Sequence, residues 1–501
     1  MNKFKIKKCV NSGIVIFLMI FVFVLQSCQA NPENNNGNSP AFANDSEKSD
    51  VMPDEPQPEP EITDSLPDGL DFNGEEFRIV TCIGSERPHL TLLFDSETIS
   101  GDALADAVYN RNRKLEERFN AVIKQIEVSD FINTMKRSIL ADDGLGEVYA
   151  LFDHQIVVFG TENLLITMKD VPYIDMNKKY WDKSINSSLS IGGSYLFIHG
   201  DYNFSTYDYT RVMLFNKNLN ENLGLESPYA LVKNGKWTID KFAEMGKASL
   251  KDLNGNGVYD DEDCYGYLAQ PKSVLPCFWI ASGIQTVPKD KNDIPFFDIK
   301  GNEKFAELVD KIFAIAWDDN IWWRNTNNDS AASQIYHVMF ENNQSLFLDS
   351  TFKNAGQLRN MDANFGIIPY PKFNEEQKVY YTRVEGGLGG AIPKTNTKLE
   401  LTGALLEAMS CEGMKSTLPI YYDIALKTKT TRDEESAEMI DMIFNDRVYD
   451  LGDTFWTGFI RDGFLNDMFL KNNRELASQI EKNETKINLE INKTIDALLG
   501  N

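Results

Sequence analysis

Between residues 75 and 153 the chain alternates between the two hydrophobic periods that a backbone can use. "EEFRIVTCI" (75–83) alternates as a half-buried strand does, while "GDALADAVYNRNRKLEERFN" (101–120) places Leu104, Ala107, Val108, Leu115 and Phe119 near helical spacing. A strand pattern returns in "AVIKQIEV" (121–128), a helical one around 130–140, and a strand again in "EVYALFD" (147–153). Strands connected through helices need both faces of their sheet covered, so the pattern predicts an α/β fold with a parallel or mixed sheet. The texture continues to the end of the chain. Strands are expected in "GGSYLFIHGDYNF" (192–204), "TRVMLFNK" (210–217), "QSLFLDS" (344–350) and "NFGIIPYP" (364–371). Helices are expected at 237–250 with Thr238 as N-cap, at 304–317, in two segments after Gly386–Gly390, and over 473–499. Two α/β lobes of roughly 150–200 residues each are the economical arrangement.

The N-terminal region reads differently. Lys3, Lys5, Lys7 and Lys8 precede an unbroken apolar run of 12 residues, Ile14 to Leu25, too short to span a bilayer as a mature helix. "LQSC" (25–28) follows and resembles a bacterial lipobox, so residues 1–27 are expected to be a lipoprotein signal peptide and Cys28 the lipid-modified N-terminus. Residues 28–70, with "NPENNNGNSP" and "PDEPQPEPE", are too polar and too rich in Pro to bury a core and are expected to form a disordered acidic tether. The folded body is then 71–501. Of six cysteines, Cys82, Cys264, Cys277 and Cys411 would remain in the body, without the close spacing of a zinc site or the density of a disulfide scaffold. Buried thiols are the default.

A formal charge of −25, with no basic cluster in the body, excludes nucleic acid as a partner and excludes membrane adhesion through a basic face. Among enzyme classes, the four histidines form no HExxH, "GGSYL" (192–196) lacks the second glycine of a nucleophile elbow, and no phosphate-binding glycine loop opens a helix. A glycoside hydrolase needs only a pair of carboxylates, and with 75 acids such pairs carry little information in sequence.

One loop has a specific metal pattern. In "DLNGNGVYDDED" (252–263), Asp252, Asn254, Asn256, Asp260 and Asp263 occupy positions 1, 3, 5, 9 and 12 of a calcium loop, with Gly257 at the sharp turn and the Val258 carbonyl at position 7. The segment that follows, "CYGYLAQP", is no exiting helix, and no second loop exists to pair with this one. The expectation is a structural Ca2+ ion that staples a surface connection, in place of a sensor.

The lipobox, the acidic spacer and the two-lobed body together resemble the extracellular solute-binding lipoproteins of bacterial ABC importers, in the large carbohydrate-type class. Several segments are similar to that group: "DALADAVYNRNRKLEERFN" (102–120), "VPYIDMNKKYWD" (171–182), "LFNKNLNENLGLESPYALVKNGKWTIDKFAEM" (214–245) and the calcium-type loop followed by "YGY". "FGIIPYPKFNEEQKVYYT" (365–382), "AIPKT" (391–395) and "YYDIALKTKTTRDEESAEMIDMIF" (421–444) continue the resemblance to about residue 460.

It implies a type II periplasmic-binding-protein-like fold, in which a monomer closes two lobes on a sugar or other small solute. Hinge strands are expected near 195–216 and 340–395. It also implies ABC permease subunits as partners, attachment to the membrane through lipid alone, and a place on the outer face of the bacterial membrane. A solute-sensing receptor uncoupled from transport and a glycan-active enzyme are the alternatives.

A sugar cleft needs flat aromatics for CH faces, with carboxylates and Arg for hydroxyls. The resemblance places Trp279 of "CFWIASG" at the cleft. Asp153 and Asp349 close their strands, and strand C-terminal ends face the crevice in open α/β sheets. Asp201, Tyr202 and Tyr207 lie in the expected hinge loop, and Arg383 and Glu385 precede "GGLGG" (386–390).

Overall fold

The computed structural model describes residues 62–323, 329–356, 358, 364–424 and 433–500, with side chains for all of these except 329–334. The apolar run, the lipobox and Cys28 lie outside the described residues. Two five-stranded mixed sheets organise the body. The first holds β1 (Glu75–Cys82), β2 (Ala121–Val128), β3 (Val148–Phe152), β4 (Phe197–Ile198) and β11 (Leu388–Ala391), in the order β2-β1-β3-β11-β4. The second holds β5 (Arg211–Asn216), β6 (Tyr265–Leu268), β7 (Trp322–Trp323), β8 (Ser345–Thr351) and β9 (Phe365–Ile368), in the order β7-β6-β8-β5-β9.

In the first sheet β1 pairs parallel with β2 and β3, while β11 runs antiparallel to β3 and β4. The strand that reverses direction is the one that arrives from the other lobe. The second sheet repeats the device: β6 is parallel to β7 and β8, and β5, which arrives from the first lobe, is antiparallel to β8 and β9. Every residue of β3, β5 and β8 is buried, as strands covered on both faces must be.

Local chemistry sets the helix ends. Asp102 accepts from the Leu104 and Ala105 amides and starts the helix Ala103–Phe119, which stops at Asn120 in the left-handed region with φ 45°. Thr238 accepts from the Lys241 amide and starts Ile239–Ala248. The helix Leu399–Glu412 is buried along almost its whole length, and its Glu407 accepts from Tyr180 Oη, from Trp181 Nε1 at 2.9 Å and from the Asp175 amide at 3.1 Å. A buried carboxylate held by three donors is a fixed point of the first lobe.

The chain crosses between lobes at 199–210, between β4 and β5, and returns at 369–387, between β9 and β11. In the return crossing β10 (Thr382–Arg383) pairs with β12 (Arg447–Val448), which ties it to the C-terminal region. Residues 62–70 pack on the first lobe although their composition groups them with the tether: Leu66 is buried, and Arg118 Nη1 donates to Asp64 Oδ2 at 2.6 Å. Cys82, Cys264, Cys277 and Cys411 are buried free thiols. Among the described residues, no helix is long and apolar enough to cross a membrane.

Candidate functional site

A cavity of about 590 Å³ lies between the lobes, where both sheets and both crossings contribute. The first lobe supplies Arg87 and His89 from the segment after β1, and Phe152, Asp153 and His154 from the end of β3. The second supplies Asp349, Ser350 and Thr351 from the end of β8, with His337 and Asn354 nearby. Tyr209 comes from the outgoing crossing and Arg211 from the start of β5, Glu385 and Gly386 from the return, and Asp453 and Arg461 from the C-terminal region.

Arg211 is the central cation. It is buried, and its Nη1 donates to Asp349 Oδ2 at 2.6 Å and its Nη2 to Glu385 Oε2 at 2.5 Å. One guanidinium thus joins the first residue of β5, the end of β8 and the return crossing, all at the cavity. Burial alone would raise the Glu385 carboxyl, but the guanidiniums of Arg211, Arg383 and Arg461 hold it down at about 2. Beneath, Arg383 donates from Nε and Nη2 to the two oxygens of Asp453 at 2.6 and 3.0 Å. Arg461 reaches the same carboxylate at 3.2 Å and also binds Asp462 at 2.7 Å.

The first-lobe wall is aromatic and amphipathic. His154 stacks on Phe152 with ring centroids 6.0 Å apart, Arg87 lies 5.5 Å from the centroid of the same Phe152 ring, and His89 packs on Tyr209 at 5.5 Å. Burial pushes the imidazoles of His89, His154 and His337 below their ordinary value, so at neutral pH each is uncharged and can both donate and accept. The fourth histidine, His199, sits behind the wall with Nε2 3.1 Å from Asp153 Oδ1. All four histidines of the chain therefore lie at or beside this cavity. An apolar ring, neutral imidazoles and fixed carboxylates suit a ligand with CH faces and hydroxyl groups.

The residues singled out in the sequence divide into two groups. Asp153, Asp349 and Glu385 line the cavity, and Arg383 lies under its floor, completely buried against Asp453. Asp201, Tyr202 and Tyr207 are interior residues of the outgoing crossing: Tyr207 Oη donates to Asp201 at 3.1 Å, and Tyr202 Oη donates to the Ile198 carbonyl at 2.9 Å. Trp279 is also interior. Its helix, Pro271–Ala281, is buried nearly all round, and its indole N–H donates to Asp450 Oδ2 at 2.8 Å, so the ring packs in the second lobe and lies outside the cavity lining. Arg87, His89, His154, His337, Tyr209 and Arg461 had no motif to announce them; for His154 the one available signal was its place directly after Asp153 at a strand end.

The 252–263 loop leads into β6 and no helix follows it. Gly255 and Gly257 have φ of 73° and 76°, where a side chain would be strained. Asp252 accepts from the Gly255 and Gly257 amides at 2.6 and 2.8 Å, Asn254 from Asn256, Asn256 from Val258, and Asp260 from Glu262. Asp263, fully buried, accepts from the Leu253 and Asp260 amides at 2.8 and 3.0 Å. The donor set is all oxygen, which is the chemistry calcium takes. The side chains are turned onto the loop's own amides, and among the described residues no three His, Cys, Asp or Glu side chains form a metal cluster.

No family model matches the chain, and comparison with curated proteins gives no match. Solved structures do match over nearly their whole length. The ABC substrate-binding protein Lmo0181 from Listeria monocytogenes, solved with cycloalternan, aligns with TM-score 0.52 at 14% identity over 84% of this chain and 99% of that one. The maltose/maltodextrin-binding domain MalE from Bdellovibrio bacteriovorus, bound to maltotriose, gives 0.51 at 14% over 83% and 100%. UspC from M. tuberculosis gives 0.55 at 13% over 83% and 99%. The chain has the two-lobed α/β fold of these structures.

Proposed function

We propose that this chain is a lipid-anchored, extracellular solute-binding protein that captures a sugar or oligosaccharide between its lobes and delivers it to an ABC permease. The observation that carries the reading is the inter-lobe cavity, in which strand ends from both sheets meet at Arg211 and face an aromatic wall bearing neutral imidazoles. Lobes joined by crossing segments can close on a solute by bending those segments, which completes a binding site that neither lobe forms alone. Similar structures whose own ligands are cycloalternan and maltotriose support sugar as the class.

Binding is the whole activity in this reading, with no chemical step. Asp349, Glu385, Asp453 and Asp462 are neutralised by guanidiniums and, with Asp153, serve as acceptors for hydroxyls. Acyl chains on Cys28 would hold the protein at the outer membrane face, with the acidic stretch as spacer. A Ca2+ ion held by Asp252, Asn254, Asn256, Asp260, Asp263 and the Val258 carbonyl would brace the connection into β6, away from the cavity.

A thermal-shift screen against mono- and oligosaccharides tests this, because a ligand that binds only the folded state raises the melting temperature. A selective shift with one saccharide class supports sugar capture. A screen in which only peptides or other solutes shift the protein would refute sugar as the cargo.

A further inference from the structure

One turn of the first lobe receives two elements anchored in the second. The turn, residues 191–194, lies between the helix Lys183–Leu189 and β4, and Ile191 and Ser194 close it with reciprocal backbone hydrogen bonds. The first element to reach it is the hairpin 289–295, which follows the second-lobe helix Pro271–Ala281. The Lys289 ammonium donates to the Ser187 carbonyl at 2.5 Å, to the Ser190 carbonyl at 3.1 Å and to Ser190 Oγ at 2.9 Å, and it pairs with Asp293. Asp293 grips the turn itself: its carbonyl accepts from the Gly192 amide and its Oδ2 from the Gly193 amide, each at 2.9 Å.

The second element is the last helix, Leu476–Leu499, about 36 Å long. Its N-terminal part is held by the second lobe, where Lys300 Nζ donates to Glu484 Oε2 at 2.7 Å and Arg474, just before the helix, donates to Asp318 Oδ1 at 2.7 Å. Its C-terminal end rests on the first lobe. A Cβ built on Gly160, in the helix after β3, would stand 3.3 Å from Leu498 Cδ2, and one built on Gly192 would stand 2.7 Å from Leu499 Cδ2. Gly192 has φ of 57°, so glycine supplies both the turn and the seat for Leu499.

Neither element lines the inter-lobe cavity. Tyr449 marks the divide. Its hydroxyl faces the Asp153 carboxylate in the cavity wall, and the same residue lines a separate groove, of about 440 Å³, with Ser187, Ser188 and Lys289. Lobes that rotate about crossing segments approach on one side of those segments and separate on the other, so closing the cavity loosens contacts on this side.

We propose that the turn 191–194, the hairpin 289–295 and the end of the last helix form a clasp behind the hinge that holds the lobes open until a solute closes them. The inference rests on the lobes moving about their crossing segments, as in the function proposed above, and is independent of which solute they hold. A ligand then has to supply the free energy that loosens the clasp, so its apparent affinity is set partly by residues it never touches.

Small-angle X-ray scattering on the purified, ligand-free protein tests this, with Lys289→Met and Leu499→Ser beside the wild type. Both side chains are only half-buried, and thermal melting confirms that each variant is folded. The expected result is a smaller radius of gyration in each variant, because a loosened clasp lets the lobes close without a ligand. Maltotriose, if it binds the wild type, should bind the variants about threefold to tenfold more tightly. A folded variant whose radius is unchanged or larger would remove its arm from the clasp, and no fall in either variant would overturn the proposal. Compaction of the ligand-free variants with no heat from maltotriose in any of the three proteins would support the clasp while counting against this sugar as cargo.

Discussion

Arg383 and Asp453 form a two-pronged ion pair in full burial, Nε to Oδ2 at 2.6 Å and Nη2 to Oδ1 at 3.0 Å, with the Ser273 carbonyl accepting from the third guanidinium nitrogen. The pair ties the return crossing to the C-terminal region directly under the cavity. Arg461 shares the same carboxylate, so the floor of the cavity and part of its lining are a single charge network.

Removing one partner of that pair leaves the other charge stranded. Arg383→Met should destabilise the protein by about 3–5 kcal/mol, the usual loss when a buried ion pair is broken from one side. Urea unfolding measures this directly. A change below about 1 kcal/mol would mean that Arg461 alone satisfies Asp453.

Asp201 should make stability fall as pH rises. Burial pushes its carboxyl up from 3.8 to about 7. Below about pH 4 it is protonated in both the folded and the unfolded chain and contributes nothing to the balance. Between about pH 4 and pH 7 the unfolded chain loses the proton that the folded chain keeps, so stability declines, by about 4 kcal/mol in total once pH passes 7. Asp201→Asn, which can still accept from Tyr207, should flatten this slope and be the more stable protein at pH 8. Parallel slopes for the two proteins between pH 5 and pH 8 would contradict the assignment.

Lys353 should slow ligand release. It follows β8 in the second lobe, and its Nζ donates to Thr91 Oγ1 at 2.5 Å, while the Thr91 amide donates to Asp208 Oδ2 at 2.5 Å. Thr91 belongs to the first-lobe segment that carries Arg87 and His89 to the cavity, so this contact bridges the lobes. Lys353→Met should raise the dissociation rate of a bound sugar about three- to tenfold. Stopped-flow displacement reads the rate, and an unchanged rate would show that the bridge does not restrain opening.

Calcium should act on stability and leave affinity alone. Millimolar Ca2+ should raise the melting temperature of the wild type, and an Asp252→Asn, Asp260→Asn double variant should lose that response while binding sugar as before. Chelation that abolished sugar affinity without moving the melting temperature would place the ion at the cavity instead.

Much of the fold was legible because the signals that specify it are local. The alternation of "EEFRIVTCI" and the helical spacing after it depend on neighbours within a few residues, and Asp102 and Thr238 cap helices through amides two or three positions away. Asp153 and Asp349 were legible as cavity residues for a related reason: in α/β sheets, strand C-terminal ends face the crevice, and both residues stand at such ends.

Convergence was not legible. His89, His154 and His337 come from three distant segments, and Arg211 meets a carboxylate 138 residues away and another 174 residues away. Trp279 has the composition of a stacking platform, yet an acceptor 171 residues further along the chain, Asp450, holds its indole in the interior. A residue's period tells which face of its own element it occupies. What that face meets depends on strand order and crossing connections, and those are settled only when the two sheets assemble.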